Sequence, residues 1–109
     1  MDIGSDQVGE VILLAREMVE QMTGAEEQFD GLLSGLDEDE LADLVALLWI
    51  GRGDFEPEEW DDARRTAMEE ATTPTADYLK GTDHLAEHLE AGLEAMGISS
   101  RDAVDDGSA

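Results

Sequence analysis

The chain has no cysteine, one lysine and two prolines among 109 residues, and only five aromatic side chains. Without cysteine there can be no disulfide and no thiolate zinc site, so stability has to come from packing. Long apolar runs are also missing. The longest, Leu44 to Ile50, has seven residues, against the roughly 20 that cross a bilayer. The first ten residues, MDIGSDQVGE, are acidic where a secretory signal would be basic and then apolar. These absences predict a cytoplasmic protein that does not enter membranes.

The scarcest commodity is positive charge. Twenty-nine acids face six arginines and lysines, for a net charge of −23. Thirteen acids against one arginine leave −12 in residues 1–50, and sixteen against five bases leave −11 in 51–109. An even spread excludes an acidic tail and makes acidity a property of the whole surface. Such a surface repels itself, which destabilises the compact state. At about 1 M salt the screening length falls to roughly 3 Å and the repulsion is quenched. The composition therefore suits a salt-rich interior, that is, halophilic adaptation. Direct binding to nucleic acid is disfavoured, because no basic patch exists to neutralise phosphates.

What is present is helical periodicity, with 41% apolar residues to fill one core. Ser5 or Asp6 is placed to cap a first helix. Val8, Val11, Ile12, Ala15, Met18, Val19 and Met22 then recur at three- and four-residue steps, with Thr23-Gly24 as its end. Phe29, Leu32, Leu33 and Leu36 predict a short second helix, broken by Gly31 and Gly35. The next start is strongly marked: Asp37 as N-cap, Glu40 completing a capping box, and Leu36 and Leu41 as a hydrophobic staple. From Leu44 to Ile50 this helix is apolar all round, the pattern of a buried centre.

Pro57 opens a further helix with Trp60, Ala63, Ala67, Met68 and Ala71 on its inner face, stopped by Thr72-Thr73-Pro74. A short helix, TADYLK, leads to Gly81. Thr82 then caps a last helix striped by Leu85, Leu89, Leu93 and Met96, with Gly97 at its C-terminus and Ile98 folded back on Leu93. The expected fold is all-α, a bundle of four main helices plus one or two short ones. It fills residues 1–98 as a single domain, with 99–109 as a disordered tail.

The residues 40–63, ELADLVALLWIGRGDFEPEEWDDA, and 75–99, TADYLKGTDHLAEHLEAGLEAMGIS, resemble the small bacterial proteins grouped as domain of unknown function 3775. The shared pattern falls on Leu44 to Leu47, Trp49, Gly51 to Asp54, Glu59-Trp60, Tyr78-Leu79 with Gly81, and Leu89, Gly92, Leu93 and Gly97. Asp83 stands where such proteins tend to carry proline, and His88 where an aromatic is usual. The resemblance implies a helical fold and no catalytic residues.

Three motifs bear on function. Arg52-Gly53-Asp54 spells an adhesion signal, but here Gly53 or Gly51 is placed to end the central helix in a left-handed conformation, with Arg52 in its last turn. An ion pair from Arg52 to Asp54, Glu58 or Glu59 is expected, and recognition of a partner's carboxylate is the alternative. His84-x-x-Glu87-His88 has the spacing of one class of zinc peptidases. A third ligand helix is not evident, so His84, Glu87 and His88 are weak metal candidates beside a boundary role for His88. A calcium loop beginning at Asp30 fails, because Leu32 and Leu41 fall at ligand positions. No nucleophile motif occurs, which predicts a non-enzymatic protein without a cofactor. Trp49, Arg52, Asp54, Phe55 and Trp60 are the candidate partner-binding residues, in a protein-protein interaction module that docks on a partner or self-associates. The alternatives are an acidic nucleic-acid mimic that occupies a basic partner, and a metal protein using the two histidines.

Overall fold

A computed structural model describes residues 3–70 and 74–97. Among them are six helices and no strand: α1 (Ser5–Val19), α2 (Ala25–Ser34), α3 (Glu38–Arg52), α4 (Trp60–Glu69), α5 (Thr75–Lys80) and α6 (Leu85–Ala95). A single 3₁₀ turn, Pro57–Glu59, leads into α4. The all-α expectation holds. The predicted tail, the helix face at Ala71, the stop at Thr72-Thr73 and the fold-back of Ile98 lie outside the described residues.

The centre is α3. Its Asp37 N-cap accepts from the Glu40 backbone N–H at 2.8 Å, while Glu40 Oε1 accepts from the Asp37 N–H at 3.0 Å, so the capping box forms as read. Leu44, Leu47 and Leu48 are wholly buried, and each contributes about 1.5–3 kcal/mol by leaving water. α6 and α4 pack on α3, and α1 packs on α2 and α6. The α3–α6 crossing is close because each helix offers a glycine there. A Cβ on Gly51 would lie 1.8 Å from the His88 carbonyl oxygen, and one on Gly92 would lie 2.3 Å from that of Leu47. Gly51 therefore belongs inside the helix. Gly53 ends it, at φ 91°, with its N–H bonded to the Ile50 carbonyl and that of Asp54 to Trp49, both bonds of a Schellman motif.

Several local expectations are corrected. Gly4, not Ser5 or Asp6, caps α1, and Gln7 accepts from its N–H at 2.9 Å. α1 stops at Val19, so Val19 and Met22 are exposed rather than on its inner face, and Leu14 is buried in their place. α2 runs through Gly31, where a Cβ would meet nothing within 4 Å, and ends before Gly35. Met68 is also exposed, because α4 carries its burial on the smaller Ala63 and Ala67. Thr82 does not cap α6. His84 does, at φ 57°, while Thr82 Oγ1 donates to the Tyr78 carbonyl.

Every arginine and lysine among the described residues is in an ion pair: Arg16 with Glu90, Arg52 with Asp54, Arg64 with Asp39 and Asp43, Arg65 with Asp62, and Lys80 with Glu26 and Asp30. Those of Arg16, Arg64 and Lys80 join different helices. In a chain with so few cations, these three act as cross-links.

Candidate functional site

The Schellman turn at Gly53 throws the chain sharply back at the C-terminal end of α3. That reversal places Phe55 against Trp49, the rings stacked with centroids 5.7 Å apart and planes at 26°. The Trp49 indole Nε1–H donates to the Tyr78 hydroxyl of α5 at 3.0 Å, so the half-buried indole is satisfied. Arg52 Nε and Nη2 both donate to Asp54 Oδ2, at 2.8 and 2.6 Å. The hydrogen bond to Asp54 pushes the Arg52 pKa above its ordinary value, and Tyr78 adds to the effect. Arg52 and Tyr78 line a cleft of about 600 Å³ together with Asp77, Thr82, His84 and His88.

Four of the five residues singled out from the sequence, Trp49, Arg52, Asp54 and Phe55, thus meet at one place. Trp60 opens α4 and packs half-buried against the main core. The ring partner of Trp49 is Phe55 rather than Trp60. Reasoning from the residues alone overlooked Tyr78 as a partner of Trp49; the available signal was its position in the Tyr-Leu-x-Gly step of the family pattern.

The histidines come together without building a metal centre. His84 and His88 lie edge to face with centroids 6.4 Å apart. His84 stands outside the helix at its cap, so the two do not share a helix face as their spacing suggests. Among the described residues, no three His, Cys, Asp or Glu side chains converge as a metal would require. Nor is any helix there long and apolar enough to cross a membrane.

A second constellation was missed by the sequence reading. Asp43, wholly buried in α3, accepts from the Ile3 backbone N–H at 3.0 Å on Oδ2 and from Arg64 Nε at 2.7 Å on Oδ1. Arg64 Nη2 also reaches Asp39 at 3.0 Å. Both carboxylate oxygens are thus satisfied. The site ties the start of the described chain and α4 to α3, which is a structural task.

A family model described as a protein of unknown function, DUF3775, matches residues 26–98. The chain belongs to the DUF3775 family. No curated protein and no solved structure matches it. The DUF3775 match takes in the Trp49–Tyr78 cluster and the Asp43–Arg64 pair, and it leaves α1 outside. Ile3, which supplies one of the hydrogen bonds to Asp43, lies beyond the DUF3775 match.

Proposed function

We propose that this DUF3775 protein is a non-enzymatic interaction module that binds another protein at the C-terminal end of α3. One observation carries the reading: Trp49, Phe55 and Tyr78 are fixed by mutual contacts and Arg52 by Asp54, yet all four remain partly open to solvent. Tryptophan, tyrosine and arginine dominate binding energy at protein interfaces. Side chains already held in place lose less freedom on docking. Arg52 turns two donors onto one oxygen of Asp54, so a partner's carboxylate would compete with that internal pair.

The test pairs solution mass across protein concentrations with affinity capture from the native cytosol, for the wild type and an R52A/F55A variant. The expected result is a partner, or a second copy, that the wild type retains and the folded variant loses. Identical behaviour of the two proteins would remove the reading.

The acidic surface supports a cytoplasmic setting rich in salt. Circular dichroism across a KCl series up to about 1 M should show stability rising as self-repulsion is screened. Equal stability at low and molar KCl would count against that adaptation.

A further inference from the structure

Four large hydrophobic side chains stand exposed among the described residues, and two of them, Val19 at 81% and Met22 at 51%, fall together at the α1–α2 turn. A cleft of about 630 Å³ opens beside them, between the end of α1, the start of α2 and the α5–α6 turn, with Ala15, Met18, Val19, Leu79 and Leu85 among its lining. A second cleft of about 440 Å³ shares Met18 and Glu26 with it and runs on to Met22. The two adjoin as one groove, apolar along the floor of the larger cleft and polar in the smaller one apart from Met18 and Met22. Methionine-bearing floors adapt their shape to an apolar ligand more readily than branched ones.

The rim is acidic on balance: Glu20, Glu26, Glu27, Asp30, Asp83 and Glu87 outnumber Arg16 and Lys80, each of which is already paired with an acid. Glu20 closes α1 at its C-terminus, the negative end of the helix dipole, where Arg16 stands in the last turn but is engaged by Glu90, so Glu20 itself has no cation among the described residues bonded to it. Glu27 and Glu87 stand at other edges. The groove already holds one ammonium: Lys80 Nζ lies 2.9 Å from Asp30 Oδ1 and 3.1 Å from Glu26 Oε2. Hydrogen bonds to Asp30 and then Glu26 favour its charged form. Two described residues other than glycine have positive φ, Gln21 at 59° and His84 at 57°. One lies on the α1 side of the groove and one on the α5–α6 side. Backbone conformations of this kind gather at ligand clamps.

We propose that this groove docks a cationic amphipathic helix of a partner protein. The apolar face of that helix would cover Met18, Val19 and Met22, and its lysines or arginines would meet Glu20, Glu27 and Glu87. A second copy of the chain fits poorly, since it would bring two acidic rims together. An anionic membrane is repelled for the same reason. The groove borders the Arg52 cleft only at the α5–α6 turn, and the inference does not rest on the reading of the Trp49 cluster. Much of the floor comes from α1, outside the family match.

The probe is a fluorescein-labelled synthetic helix with leucines at helical spacing on one face and lysines on the other, followed by anisotropy. A scrambled peptide of equal composition is the control. The faced peptide should bind at least about tenfold more tightly than the scrambled one, and V19D/M22D should cost about tenfold or more. Both substituted positions are solvent-exposed, and circular dichroism verifies the fold. R52A/F55A should bind the peptide as the wild type does, which separates this result from the test of the other surface. Equal binding of the scrambled peptide would overturn the proposal, as would unchanged binding by V19D/M22D. So would a wild-type dimer that V19D/M22D dissolves, or V19-dependent binding to phosphatidylserine vesicles in place of the peptide.

Discussion

The two ends of α3 each carry an arginine–aspartate pair, and the pairs have little else in common. Near the N-terminal end, Asp43 is wholly buried and Arg64 is only 27% exposed, with the Ile3 N–H bonded to the other carboxylate oxygen. At the C-terminal end, Arg52 and Asp54 are 38% and 46% exposed and two residues apart in sequence. The first pair joins three segments of the chain. The second joins none, and it leaves a charged, aromatic surface facing water. The same chemistry therefore closes the fold at one end and presents a surface at the other, because burial sets how much a charge depends on its partner.

The strongest way to break that contrast is Asp43→Ala. It strands the Ile3 N–H and takes one of two acids from Arg64, and should cost about 3–4 kcal/mol in urea unfolding. Asp43→Asn, which keeps an acceptor, should cost less. Next is Gly51→Ala, which adds a methyl into the α6 backbone just before the exposed pair. A cost of about 2–3 kcal/mol is expected, with loss of the Trp49-dependent near-ultraviolet signal as the helices part. Trp49→Phe removes the hydrogen bond to Tyr78 and should cost about 1 kcal/mol by the same unfolding measurement. Arg52→Ala should change stability by no more than about 0.5 kcal/mol, its effect falling on partner binding instead.

Double-mutant cycles on both pairs sharpen the comparison directly. At about 1 M KCl the coupling of Arg52 to Asp54 should vanish, while that of Arg64 to Asp43 persists. Equal couplings, or equal sensitivity to salt, would show that the two pairs do the same work.

What was legible in the sequence was local. The Asp37–Glu40 capping box depends on residues within one turn of each other, so its pattern suffices, and the pattern narrowed the helix stop to Gly51 or Gly53. The Trp49–Phe55 stacking, though only six residues apart, needed the structure, because it depends on which glycine turns the chain. By contrast, Asp43 lies forty residues from Ile3 and twenty-one from Arg64. In sequence it is one acid among many, with no sign that it enters the core. Val19 and Met22 extend the apolar stripe of α1 in sequence, but the helix itself ends at Val19 and both side chains are left exposed. Periodicity tells which residues share a face and not how far the opposing surface reaches.

The sequence by itself determined an all-α chain, the start of its central helix, its acidic surface and its DUF3775 membership. Each of these rests on short-range pattern, composition or a run of spaced motifs. The tertiary structure alone decided that Gly51 and Gly92 bring two backbones together, that one carboxylate among the described residues, Asp43, is buried and satisfied, and that the end of α1 is left uncovered. Those outcomes depend on which distant segments become neighbours, and that is settled by packing.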